Sequence, residues 1–260
     1  MMIVVDITPE VLARKKVEVT VAELEQEREL REHFVAAFTH DLRTPLHAAR
    51  LSAQVLALQL HAPDNAKMLT KRVITNVDRA DGMICDLLDA NRLKAGEGIP
   101  IAVRESRLDQ LVATAVRDIQ ELQAPRLRIC NETGAIAGCW DDKALQRVIE
   151  NLVGNALKYG SAQSAVTICL IQAGDWVELA VHNEGNPIPP ADEQTLFQLY
   201  RRPTSAITGG QSGWGVGLTL VKGIVEAHGG TVRVESSQQH GTTFACRLPL
   251  DCRVHLRGQP

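Results

Sequence analysis

The sequence predicts an α chain joined to an α/β sandwich: a helical-hairpin dimerisation domain, forming a four-helix bundle as a dimer, followed by an α+β two-layer sandwich. Three observations carry this. Apolar residues recur at alternating four- and three-residue spacing through roughly the first 95 positions. After Pro100 the pattern changes to short alternating apolar runs set between helical stretches. Aromatic residues make up only 3% of the 260, so the cores must be aliphatic, which suits helices packed through Leu, Val and Ala.

Along the chain, Ile3-Val-Val-Asp-Ile-Thr8 reads as a short strand ending at Pro9. From about Val11 to Leu60 the pattern is one long helix interrupted once. Val17, Val21 and Leu24 begin its apolar stripe, and Phe34, Phe38, Leu42, Leu46 and Leu51 continue it. Pro63 stops that helix, and Asp64 or Asn65 can cap the next. The second helix runs from about Ala66 to Leu93 with Val73, Val77, Ala80, Ile84 and Leu87 on one face, and Gly96 and Gly98 end it. Two such helices cannot bury their faces alone, so pairing two hairpins in a homodimer is expected.

Downstream, the expected elements are a strand at Ile99–Val103, a helix at Leu108–Leu122, a strand at Arg126–Cys130 and a helix at Asp141–Tyr159 capped by Asp141. A hairpin of Val166–Gln172 and Trp176–His182 turns at Gly174-Asp175. Val216–His228 is helical, Thr231–Ser236 and Thr242–Leu248 form a last hairpin, and Arg253–Pro260 is a loose tail. Helices and antiparallel strands without strict alternation indicate an α+β sandwich, not a parallel sheet. The expected divisions are residues 1–10, 11–98, 99–252 and 253–260.

Composition narrows the function. A formal net charge of -3 gives no electrostatic reason to expect nucleic acid or an anionic membrane as partner. Six cysteines without a CxxC pair or metal-ligand spacing point to buried free thiols in a reducing cytosol. The first residues lack the apolar and basic regions of a signal peptide, and no stretch approaches the ~18 apolar residues of a membrane span. A soluble, cytoplasmic chain with no direct membrane span is expected.

Two stretches carry chemistry. His33, His40 and His47 are seven apart on one helix face, which at ~1.5 Å per residue separates neighbours by ~10 Å, too far for a shared metal. Only His40 is followed directly by a carboxylate. Asp41 can accept the Nδ1 proton of the imidazole, leaving Nε2 richer in electron density as a nucleophile. Pro45 removes a helical N–H, frees the Asp41 carbonyl and bends the helix one turn below His40, while Thr44 lies one turn away on the same face. Further on, Asn151 and Asn155 share a helix face, with Lys158 and Tyr159 one turn beyond; amide oxygens suit Mg²⁺ and a lysine screens phosphate. Glycines in Gly213-Trp-Gly215-Val-Gly217-Leu218 let backbone N–H groups approach phosphate where a helix opens.

Together, the run H-D-L-R-T-P-L at residues 40–46, N-L-V-G-N-A-L-K-Y at 151–159 and the two glycine-rich loops resemble the catalytic core of sensor histidine kinases of two-component systems, over roughly residues 30 to 250. The resemblance implies that His40 is phosphorylated, Asp41 acts as general base and Thr44 assists dephosphorylation of the partner. ATP and Mg²⁺ are the implied ligands. Asn155 would take the magnesium, and Asn151, Lys158 and Tyr159 would line the phosphates.

In the first glycine box, His182-Asn183-Glu184-Gly185-Asn186-Pro187, Asn183 stands where the family has an aspartate and Pro187 where it has a second glycine. This is similar to the Asn-containing loops of bacteriophytochrome-like kinases. An asparagine oxygen still accepts a hydrogen bond from the adenine amine, so about a kcal/mol is the expected loss. Gly213, Gly215, Gly217 and Leu218 match the second box and Arg201–Gly210 the lid, with Phe197–Tyr200 an altered hinge lacking its proline. Gly241-Thr242-Thr243-Phe244 matches the last box, where Thr242 or Thr243 touches phosphate. Asp6-Ile7-Thr8 looks like the exit of a PAS domain.

The implied partners are a second copy and the receiver domain of a response regulator. Another reading is a degenerate scaffold, supported only by Asn183 and Leu199. Gyrase-, mismatch-repair- and chaperone-type ATPases lack the histidine hairpin and would carry a glutamate at Asn151.

Overall fold

The structure is a computed structural model that describes residues 8–58, 63–122, 126–193, 195–199 and 215–256. It divides into two compact units, Met1–Ala80 and Asp81–Pro260. The strand expected at 3–8 falls outside the described residues except for Thr8, which begins a helix.

In the first unit, α1 (Thr8–Leu58) runs unbroken through Pro45, where an interruption was expected. A proline removes a single hydrogen bond, and the charged helix formers and aliphatic residues on either side sustain the remainder. Pro45 is buried, as are Phe34 and Ala49, and the Phe34 and Phe38 rings stack at 5.8 Å. By contrast Val17, Val21, Leu24, Leu46 and Leu51 are exposed. Helix α2 (Pro63–Lys94) starts at Pro63, which therefore opens a helix and does not merely end one. Its missing N–H is one that the first helical turn leaves unpaired in any case.

In the second unit, the last turns of α2 bury Met83 and Ala90 and end at Gly96, whose φ of 78° suits the glycine that closes a helix. The strand expected at Ile99–Val103 is not formed. Ile99 is buried by helix packing, beside Leu93 against the bare Cα of Gly223, and the Ala102 N–H donates to the Asp141 carboxylate (2.7 Å) and not to a ladder. Pairing begins later. β1 (Arg104–Arg107) lies antiparallel to β3 (Ala137–Trp140), a strand the sequence pattern hid because it contains Gly138 and no alternation. Gly138 is required there: a Cβ would strike the Trp140 ring and the Leu250 carbonyl.

α3 (Leu108–Leu122) and α4 (Asp142–Tyr159) occupy the expected positions, and Asp141 caps α4 by accepting from the Ala144 N–H at 3.0 Å. Between and after them come β2 (Leu127–Asn131), β4 (Val166–Ala173) and β5 (Trp176–Asn183), then α5 (Pro190–Glu193), α6 (Gly217–Ala227), β6 (Thr231–Ser237), β7 (Gly241–Pro249) and α7 (Arg253–Leu256). The tail expected to be loose thus starts with a helical turn. The main sheet has the order β2-β4-β5-β7-β6. It is mixed, not purely antiparallel, because β2 reaches β4 through a crossover containing α4, which leaves the two strands parallel. α3, α4 and α6 form the second layer. Leu145, Ile149 and Leu152 of α4 and Leu220 and Ile224 of α6 are fully buried, as are Ile168, Leu170, Leu179 and Leu248 of the sheet. Among the described residues no helix is long and apolar enough to cross a membrane.

Two polar contacts fix α4. Fully buried His228, at the end of α6, accepts the Asp141 N–H on Nε2 (3.1 Å) and donates from Nδ1 to the Ile224 carbonyl (2.8 Å). Both ring nitrogens are used by the neutral form, and burial pushes the imidazole below its ordinary value of 6.5. At the next turn Arg147 donates to Asp86 (2.6 and 3.1 Å) and Asp89 (2.7 Å) on the last turns of α2. Burial raises the Asp86 carboxyl above its usual range, an effect that the Arg147 charge opposes.

Because the unfolded chain takes up a proton at His228 that the folded chain resists, stability contributed by this site is complete above pH ~6.5 and falls as pH drops through that value. Urea titrations at pH 7.5 and 5.5 should therefore show a loss in the native protein that is smaller in His228→Gln. Arg147→Ala leaves two half-buried carboxylates without their cation and should lower unfolding free energy by ~3 kcal/mol. Adding Asp86→Asn and Asp89→Asn should recover part of it, as read by the same titrations.

Candidate functional site

His40 projects from α1 with 79% of its side chain exposed. Its Nδ1 lies 3.1 Å from Oδ1 of Asp41, so with a proton on Nδ1 the outward Nε2 carries the lone pair. Thr44 lies one turn on, its hydroxyl donating to the His40 carbonyl at 3.3 Å. The proton of Thr44 is thus turned to the backbone, and the exposed oxygen keeps its capacity to accept. These features belong to a helix exterior and need no cavity.

The second group of residues is assembled around the C-terminal half of α4. Asn151 donates Nδ2 to the Arg147 carbonyl (2.9 Å), which turns Oδ1 toward the start of α6. There Gly217 packs so closely that a Cβ would collide with that Oδ1. The preceding Gly215 has a φ of 69°, and Val216 makes no side-chain cap to α6. The first N–H groups of α6 therefore form a positively polarised end beside Asn151. Leu218 follows in the first turn and is half-buried. One turn along α4, Asn155 is half-buried on the same side as Asn151, and Lys158 sits 3.0 Å from the Tyr159 hydroxyl.

The end of α4 meets the β5 and β7 loops. Gly160 bridges Gly185, and the Ser161 N–H donates to the Glu184 carbonyl at 2.7 Å. Gly185 lies against the Tyr159 carbonyl, where its Cβ would come within 3.0 Å. Asn183 is 6% exposed and donates Nδ2 to the Glu184 carbonyl (3.3 Å), leaving Oδ1 as an acceptor. Across the ladder it pairs with Thr242, which is 5% exposed and whose hydroxyl is 2.7 Å from Ser236 Oγ. Gly241, with φ 67°, brings its backbone against the Asn183 carbonyl, an approach that a side chain would block.

The sequence offered Thr242 and Thr243 as alternatives, and the strand pleat separates them. Thr242 faces the helical layer with Asn183, whereas Thr243 is on the opposite, open face, 3.0 Å from His182 Nδ1. A polar cavity of about 450 Å³ on that open face, lined by Arg128, Thr167, His182 and Glu184, is thus separate from Asn151 and Asn155. Gly213, the lid at 201–210 and Tyr200 of the hinge lie outside the described residues; the hinge carbonyl of Phe197 accepts from Thr219 of α6 at 3.0 Å. Among the described residues no cluster of His, Cys, Asp or Glu is arranged to hold a metal. A hard cation here would depend on an amide oxygen such as that of Asn155 together with oxygens of its own ligand, which fits the habits of Mg²⁺. Sequence reasoning missed Arg147, Asp86, Asp89 and His228; the only signal was an arginine one turn before Asn151 and two aspartates three apart.

Comparison with known proteins is consistent throughout. Residues 30–96 match the His Kinase A (phospho-acceptor) domain, and residues 140–252 match the Histidine kinase-, DNA gyrase B-, and HSP90-like ATPase family. The sensor-like histidine kinase SenX3 of Mycobacterium tuberculosis is 30% identical over 222 residues, covering 84% of this chain and 54% of that protein. The sensor protein KdpD of Escherichia coli is 29% identical over 244 residues, covering 90% and 26% respectively. The chain thus spans about half the length, or less, of these curated relatives. In fold it is similar to full-length ShkA solved in complex with AMPPNP, with a TM-score of 0.56 at 20% identity over 84% of this chain and 45% of that one. With a phosphoacceptor helix ahead of an ATPase sandwich, the chain belongs to the sensor histidine kinases of two-component systems.

Proposed function

We propose that this chain is an ATP-dependent protein-histidine kinase that phosphorylates His40 and passes the phosphoryl group to an aspartate of a response regulator receiver domain. The observation that carries the reading is the exposed His40 imidazole with its Nδ1 on Asp41, in a chain that also builds the Asn151–Gly217 and Asn183–Thr242 contacts. Nε2 attacks the γ-phosphorus, an N–P bond forms as the P–O bond to ADP breaks, and Asp41 accepts the Nδ1 proton as positive charge develops on the ring. The resulting phosphoramidate is high in energy, so its transfer to a carboxylate is downhill.

In this reading Asn183 Oδ1 holds the adenine end, and Thr242, its partner across the ladder, stands beside it and not at the phosphate that its glycine box implied. Gly185, Gly213, Gly215, Gly217 and Leu218 let the backbone approach the nucleotide, and Asn151, Lys158 and Tyr159 line the phosphates. Mg²⁺ held at Asn155, when bound, supplies charge neutralisation to the phosphates. Thr44 would position a water for phosphatase activity toward the partner. Residues 11–98 form the dimerisation and phosphotransfer domain and 99–252 the ATP-binding domain of a cytoplasmic homodimer. The exposed stripe of Val17, Val21, Leu24, Leu46, Leu51 and Val77 supports the second copy, because pairing would remove that surface from water.

His40→Gln should abolish acid-labile labelling from γ-labelled ATP and leave nucleotide affinity, measured by calorimetry, within about twofold of the native value. Labelling that persists in this variant would contradict the role of His40. Asn183→Asp, restoring the carboxylate usual in the family, should tighten binding of a non-hydrolysable ATP analogue about fivefold, the equivalent of ~1 kcal/mol. An unchanged or weakened affinity would remove Asn183 from the adenine site.

A further inference from the structure

We propose that Cys130 and Cys169 form a redox-modification site, a dithiol that hydrogen peroxide converts reversibly to an intramolecular disulfide. The inference is independent of the kinase reading.

Cys130 of β2 and Cys169 of β4 are direct partners in the parallel ladder. Neighbouring strands lie ~4.8 Å apart, inside the ~4.4–6.8 Å Cα separation that a disulfide spans. Direct partners also point to the same face. The buried positions Leu127, Val166, Ile168 and Leu170 occupy the helical side, so Cys130 and Cys169 project from the open side, where both are partly accessible. Cys130 is among the groups that perturb the Cys169 thiol, as expected of two side chains that are ladder neighbours on one face.

Access is provided on the same face. Arg128 and Thr167, two residues before each cysteine and themselves ladder partners, line the polar cavity of about 450 Å³. A small polar oxidant can reach this face, and the Arg128 guanidinium places positive charge nearby. The remaining cysteines lack this combination. Cys139, Cys246 and Cys252 are buried, with burial pushing Cys246 up to about 12 and Cys252 to about 11. Cys85 is exposed, but it lies on α2, away from the sheet.

The chemistry balances with hydrogen peroxide as oxidant. Burial and the neighbouring Cys130 and Glu132 hold the Cys169 thiol above its ordinary range. Cys130, on the edge strand β2, is assigned as the attacking sulfur by its position. Its thiolate attacks one peroxide oxygen, the O–O bond breaks, and water leaves after protonation, giving a sulfenic acid. The Cys169 sulfur then displaces the sulfenic oxygen as a second water. Two thiols lose two electrons and two protons in all, and one peroxide becomes two waters. The bond ties the edge strand β2 to β4 and closes a loop of roughly forty residues that contains α4.

The test treats the full chain with a few equivalents of hydrogen peroxide at neutral pH, blocks thiols with a maleimide under denaturing conditions, and maps the peptides by mass spectrometry. The expected result is loss of two thiols per chain and one peptide joining Cys130 to Cys169, lighter by two hydrogens and restored by dithiothreitol. Cys85→Ser should retain the linkage, and Cys130→Ser should lack it. The oxidised native protein should also melt higher, by on the order of 5 °C. Recovery of both residues as maleimide adducts while Cys85 oxidises would overturn the proposal. So would their capture as sulfinic acids or in linkages to another chain. Because the map on native protein needs no variant and no ATP, neither a folding defect nor failure of the kinase assignment could imitate these results.

Discussion

Asp141 is the residue on which the architecture of the second unit turns. One carboxylate oxygen caps α4 through Ala144, the other takes the Ala102 N–H, and its own N–H donates to buried His228 at the end of α6. Three segments distant in sequence are therefore registered at one point. α4 carries Asn151 and Asn155, the stretch after α2 carries Ile99, and α6 opens with Gly217. An apolar core alone would let helices slide by fractions of a turn. Directional hydrogen bonds at a helix end do not. Arg147 repeats the logic one turn later, clamping α4 to Asp86 and Asp89 where apolar contacts are fewer.

That registration makes the close backbone approaches meaningful. Gly217 against Asn151, Gly185 against the end of α4 and Gly241 against Asn183 are places where a methyl group would push elements apart. They lie in loops that the sequence marks as glycine-rich, and together they draw the helix start, the α4 asparagines and the β5–β7 edge into one neighbourhood. The proposed phosphoacceptor obeys an opposite demand. In that role His40 would have to be reachable by large partners, and a solvated helix exterior with a neighbouring carboxylate meets that need without a pocket.

Much of this was legible from residues alone, for physical reasons. α3, α4 and the two late hairpins announce themselves through period and punctuation: Asp141 as a cap, Gly174-Asp175 as a turn, and alternation in Val166–Ala173. What escaped depends on partners distant in sequence. Residues 99–103 look strand-like because Ile99 and Ile101 are apolar, yet Ile99 is buried by Leu93 and Gly223. β3 holds Gly138 and has no alternating pattern, so only its ladder with β1 reveals it. Pro45 and Pro63 read as breaks because local propensity cannot weigh what the rest of a helix sustains. In the site, the family-like runs single out His40, Asn151 and Asn183 as candidates. Separating Thr242 from Thr243 required knowing which face of β7 the helices cover. Likewise, the cysteines suggested scattered buried thiols until the parallel register set Cys130 beside Cys169.

The proposed activity reduces to a chemical bond between phosphorus and one imidazole nitrogen. It is tested by site mapping of the protein after incubation with ATP and magnesium, by alkaline-stable phosphopeptide analysis with fragmentation that preserves the N–P linkage. The expected result is a single phosphohistidine at His40, stable in base and lost in acid. Phosphate found on another histidine, or an acid-stable ester on serine or threonine with His40 unmodified, would contradict it.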